Sequence, residues 1–97
     1  MTGSAEPSPE AIAAEILRQA AARGAGRSLC PSEVARALHT GPEPEGWRRL
    51  LPAVRQAAAA LAAEGRIAIL RKGKPIPPAA LRGVIRLALP QGRGQRS

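Results

Sequence analysis

Aromatic side chains are nearly missing from this chain, which has one Trp and no Phe or Tyr. That excludes the stacking platforms on which aromatic-rich domains hold single-stranded bases. Cysteine and histidine are as scarce. Cys30 and His39 stand alone, whereas a zinc site takes three or four protein ligands and a disulfide needs a second thiol. No metal, no cofactor and no stapled secreted framework is therefore expected. Long apolar runs are absent too: none approaches the roughly 20 residues that span a bilayer. The N-terminus lacks the basic-then-apolar layout of a signal peptide. No helix pairs a basic face with bulky apolar residues opposite, so an anionic membrane surface is not an expected partner. The expectation is a cytoplasmic protein of bacterial type.

What is present is alanine and arginine. Of the 43 hydrophobic residues among 97, 21 are Ala and only 19 are Val, Ile or Leu. The chain is long enough for one domain with a thin core. Its formal charge is +8, from 15 basic and 7 acidic residues, and the charge is unevenly placed. Residues 1–47 hold four Arg and six Glu, net −2; residues 48–97 hold eleven basic residues and only Glu64, net +10. A GC-rich coding bias accounts for 13 Arg against 2 Lys and for the alanines. It does not account for the difference between halves, which points to an acidic polymer as partner.

Residues 1–8 and 90–97 are Gly, Pro and polar residues without an apolar period and read as flexible tails, the second of them basic. Between them, 9–89 reads as one domain. Ser8-Pro9-Glu10 combines a hydroxyl N-cap, Pro at the first helical position and an early acid, which predicts a helix to about Arg23. Ile12, Ile16 and Ala20, with Leu17 beside them, form its apolar stripe, and Gly24 stops it. Ser28-Leu29 has room for a short strand, and Pro31 opens a second helix to about His39 with Val34, Ala35 and Leu38 inward. Leu50, Leu51, Val54, Ala57, Ala58 and Leu61 define a third helix; Pro52 places a turn at 47–51 and the regular helix from Pro52 to Glu64. Arg66–Arg71 and Val84–Leu89 read as two strands. The basic, Pro-rich link Lys72–Gly83 between them reads as a projecting loop too long for a tight hairpin.

This order predicts an α+β fold of the winged helix-turn-helix kind, with three helices on a small antiparallel sheet. A bare three-helix bundle is the rival, and the alternation of Ile85, Leu87 and Leu89 argues against it. Several blocks stand in a recognisable order: Leu29-Cys30-Pro31-Ser32-Glu33-Val34-Ala35-Arg36, Trp47-Arg48, Pro52-Ala53-Val54-Arg55, Glu64-Gly65-Arg66-Ile67, Lys72-Gly73-Lys74-Pro75 and Arg82-Gly83-Val84-Ile85-Arg86-Leu87. Over about residues 10–89 the chain resembles the small bacterial family of domains of unknown function numbered 3253. The resemblance implies a winged-helix-like fold and no activity.

The candidate site residues all lie in the basic half. Arg48 and Arg49 open the third helical segment, and Arg55 lies seven residues beyond Arg48, about two turns, with Gln56 beside it, an edge expected to face DNA. The planar guanidinium fork matches phosphate and guanine; a solvated helix face in an Arg-rich chain is the bland counterpart. The outer positions beyond Arg55 are Ala59, Ala60 and Ala63, which read no base by hydrogen bonding. Arg71, Lys72, Lys74 and Arg82 surround the wing, where basic side chains can follow a phosphate backbone. The expectation is binding of double-stranded DNA, mainly through phosphates. The alternative is a protein-interaction module with no nucleic-acid role, docking an acidic protein partner. No enzyme is expected, since His39 has no Ser, Asp or Cys at a recognisable spacing. Cys30, at a helix start, reads as a small capping residue, and Trp47 as an anchor to the core. The sequence leaves the oligomeric state open.

Overall fold

The Ser8 hydroxyl accepts a hydrogen bond from the Ala11 amide at 3.1 Å, and the helix that follows, α1 (Pro9–Arg23), buries Ile12, Ile16 and Ala20. It ends where Gly24 turns to φ 88° and its amide returns to the Ala20 carbonyl. The computed structural model describes residues 7–90; of the two expected tails, 1–6 and 91–97 lie outside the described residues. The strand β1 (Ser28–Leu29) leads into α2 (Pro31–Leu38), one residue shorter than expected. Glu33 serves this helix start twice: its carboxylate accepts the Cys30 amide at 3.0 Å and pairs with Arg23 from the end of α1. An acid three residues into a helix satisfies amides that have no partner within it, and here it also ties two helices together.

The loop 40–45 leads to a 3-10 turn, Gly46–Leu50, which runs directly into α3 (Leu51–Ala63). Pro52 falls in the first turn of α3, where its missing amide hydrogen costs nothing. Val54, Ala58 and Leu61 face the core. At Gly46 the His39 ring lies so close that an added Cβ would sit 2.4 Å from its Cε1. Only glycine fits there without moving the ring.

Four strands complete the fold: β1, β2 (Ala68–Arg71), β3 (Lys74–Ile76) and β4 (Arg86–Ala88). They lie in the order β1-β4-β2-β3, all antiparallel. The register sets Leu29 opposite Leu87, Leu87 opposite Ile69 and Ile69 opposite Ile76, an apolar row across the whole sheet. Leu29, Leu87 and Ile69 are buried in the same core as Ile12, Ile16, Val34 and Val54. Each such side chain taken out of water contributes about 1.5–3 kcal/mol, and with so few large side chains this row holds much of the core. The result is an α+β, winged-helix-like arrangement of three helices on one small antiparallel sheet, as expected.

The link 72–83 differs from the expectation. It is not one long loop: Lys72 and Gly73 make a two-residue turn, at φ 53° and 80°, that pairs Arg71 with Lys74 and starts β3. A second 3-10 turn, Pro78–Ala80, then carries the chain back toward β4. Two successive positive φ values twist a hairpin in the same sense as its strands, so the shortest connection is favoured. Pro75 disguised the strand. It is tolerated because β3 is an edge strand, where a missing amide donor breaks no ladder on the solvent side.

Candidate nucleic-acid interface

The antiparallel hairpin of β2 and β3 brings Lys72 and Lys74 to one end of the sheet, on either side of Gly73. Both are exposed, as is Arg82, and none of the three side chains makes an ion pair or hydrogen bond among the described residues. No acid follows Glu64 in the chain. Their charges are therefore uncompensated by any nearby partner in the sequence half that forms β2, β3 and β4.

The other expected site residues are engaged differently. Arg55 donates from Nη2 to the Gly83 carbonyl at 2.8 Å. Arg71 donates from Nη1 to the carbonyls of Ala80 and Arg82 at 3.3 and 3.2 Å. These two guanidinium groups thus hold the 80–83 segment from α3 and from β2. A charged donor on a carbonyl is a stronger bond than a neutral one. Arg48 pairs with Glu45, and Arg49 with Glu43 at 3.1 Å, both at the surface. Exposed pairs of this kind are weak and exchange readily for another anion.

Gln56 is not part of the same surface. It lines a groove between α1 and α3, with Ile12, Ala53, Ala57 and Ala60 and with Glu64 and Arg66 at its end. One step along an α-helix turns a side chain by about 100°, which separates Gln56 from Arg55. The seven-residue spacing of Arg48 and Arg55 also fails as two helical turns, because Arg48 belongs to the 3-10 turn and Arg55 to α3. Arg48 lies over the Trp47 ring, 4.6 Å from its centroid.

Arg36 carries no signal in the sequence that marks it as part of this surface. It comes from α2 and lies 4.5 Å from the same ring centroid. Trp47, itself 8% exposed, thus anchors the start of α3 as expected and carries two guanidinium groups on its ring. No spacing rule joins residues 36 and 47. Arg86 is a second unanticipated contact: it donates to the Ser28 hydroxyl at 2.7 Å and joins β4 to β1.

Among the described residues no three His, Cys, Asp or Glu side chains come together as metal ligands do. Cys30 is half-buried, and the Ser32 hydroxyl donates to its sulfur at 3.2 Å. No described helix is long and apolar enough to cross a membrane.

The family described as protein of unknown function (DUF3253) matches residues 9–90. The chain belongs to this family. The match spans α1 through β4. No curated protein matches the chain.

Proposed function

We infer that this DUF3253 protein binds double-stranded DNA through the hairpin of β2 and β3, mainly by neutralising phosphates. The observation that carries this reading is that Lys72, Lys74 and Arg82 are exposed cations without partners among the described residues, in a half of the chain whose only acid is Glu64. Arg48 and Arg49 add charge at the start of α3 once their weak surface pairs with Glu45 and Glu43 open. The outer face of α3 offers mostly alanine, so sequence preference is slight and affinity depends on salt. A cytoplasmic location goes with this role.

The test is binding to duplex DNA over a salt series, using protein purified with nuclease treatment. Removing two phosphate contacts with Lys72→Ala and Lys74→Ala flattens the slope of log affinity against log salt by up to about two units. An unchanged slope in the double variant, or no affinity in the parent at low salt, overturns the reading. The second reading is a protein-interaction module with no nucleic-acid role. One feature favours it: a groove between α1 and α3, of about 680 Å³, has Ile12, Ala13, Ala53, Ala57 and Leu61 in its lining beside Gln56, Glu64 and Arg66. An acidic partner protein captured in place of DNA, and lost on substitution of the same lysines, would decide for it.

A further inference from the structure

Trp47 is the only tryptophan in the chain, and its buried ring carries two charged side chains. Arg36 comes from the last turn of α2 and Arg48 from the 3-10 turn ahead of α3, with their guanidinium carbons 4.5 and 4.6 Å from the ring centroid. The two carbons are therefore no farther apart than the sum of those distances. Salt screens exposed charges over about 10 Å, so each cation feels the other. Both arginines are exposed while the ring beneath them is closed off from water.

The two are not equally compensated. Arg48 pairs with Glu45 at the surface. Arg36 makes no ion pair and donates no hydrogen bond among the described residues. A cation in the last turn of a helix is favoured by the helix dipole. That accounts for a basic residue at 36, but not for its place on an indole beside a second guanidinium. A guanidinium lying on a ring has given up much of its freedom before any ligand arrives, so less is lost when its donors meet an acceptor. Arg36 is thus held in place with its donors unclaimed, next to a like charge. An anion that reaches both groups relieves their repulsion. Further unpaired cations stand on the hairpin of β2 and β3, a separate element. Cations spread over separate elements suit a polymer with a charge at every unit better than a single carboxylate.

We propose that Arg36 and Arg48, braced on Trp47, contact backbone phosphates of duplex DNA at the junction of α2 and the start of α3, and that Trp47 is their positioning residue. This rests on the DNA-binding reading above and extends it from the hairpin to a second place on the fold. Phosphate replaces Glu45 on Arg48 and gives Arg36 the anionic partner it lacks. The planar fork of each guanidinium matches two phosphate oxygens.

The experiment titrates the nuclease-treated full chain with duplex DNA across a salt series and follows the emission of Trp47, which as the only tryptophan reports this ring alone. The duplex is expected to change that emission with the same midpoint as binding. Arg36→Gln is expected to weaken binding several-fold at low salt and to flatten the slope of log affinity against log salt by about 0.9, one phosphate contact. Arg36→Lys keeps the charge without the fork, and is expected to keep the slope and recover only part of the affinity. Trp47→Leu keeps both cations but removes their support; it is expected to weaken binding, and Arg36→Gln added to it should cost less than in the parent. Thermal melts show which variants are folded, and the two variants at exposed Arg36 decide the matter if Trp47→Leu is not. Duplex binding by the parent with an unchanged slope in Arg36→Gln overturns this contact and leaves the DNA reading on the hairpin standing. Absence of duplex binding by the parent at low salt overturns both. Polyglutamate that changes the Trp47 emission at lower concentration than the duplex overturns the proposal in favour of an acidic protein partner.

Discussion

The two-residue turn at Lys72-Gly73 makes a quantitative test of the fold at the place where its sequence is least explicit. Gly73 has φ 80°, and a Cβ added to it would meet nothing within 4 Å. The cost of Gly73→Ala is therefore backbone alone, the roughly 1–2 kcal/mol that an L side chain incurs in the left-handed region. Part of that is offset by the narrower unfolded ensemble of Ala, which leaves about 1 kcal/mol. In a domain of this size that lowers Tm by about 4–8 °C. Lys72 has φ 53° and already bears the left-handed penalty. Lys72→Asn, whose side chain tolerates that region and favours this turn type, is expected to stabilise by a few tenths to about 1 kcal/mol. Urea titration and thermal melting followed by far-UV circular dichroism read both changes, and hydrogen exchange at Leu70 and Ile76 reports the hairpin directly. If Gly73→Ala falls within about 0.3 kcal/mol of the parent and Lys72→Asn gives no gain, 72–83 is a loose loop and the hairpin reasoning is wrong.

Gly46→Ala forces the His39 ring away and breaks its hydrogen bond with the Glu43 carbonyl, 2.9 Å in length, at a cost of about 1 kcal/mol. His39→Ala removes the obstacle, so the double variant should be no less stable than His39→Ala alone; additive losses in a urea double-mutant cycle would count against the contact. Glu15 is the group whose ionisation bears on stability: hydrogen bonding from Arg18, 2.6 Å away, holds its carboxyl below the usual carboxylate range, with burial acting the other way. A lowered folded value means that the contribution is full above the unfolded value and is lost as pH falls through the folded one. Glu15→Gln should thus cost less than about 1 kcal/mol at neutral pH, as an exposed pair does, and nothing once the parent carboxyl is protonated. A gap between parent and variant that stays constant into acid would refute the assignment.

Much of this fold was legible along the chain because its signals are local. Ser8-Pro9-Glu10 marks a helix start wherever it occurs, and Ile12, Ile16 and Ala20 share a face by geometry alone. Alternation at Ile85 and Leu87 likewise marks two inward side chains around β4, both of them buried. The charge asymmetry needs no structure at all. The hairpin was hidden because Lys-Gly is a weaker turn signal than Asn-Gly and because a Pro inside a strand is acceptable only at a sheet edge, which no local rule reveals.

The arginines mark the boundary between what sequence and tertiary structure decide. Sequence by itself determined the basic half and the three helices. It did not determine which cations stand free. Arg55 reaches a carbonyl 28 residues away, Arg71 two carbonyls 9 and 11 residues away, and Arg36 an indole on another element. A guanidinium has several donors on a long stem, so its partner is whichever acceptor or ring the returning chain brings within reach. Hydrophobic period tells which face of an element is buried, because burial repeats with the helix or strand. The partners of a polar side chain follow from where distant segments meet, and that is decided only when the core closes.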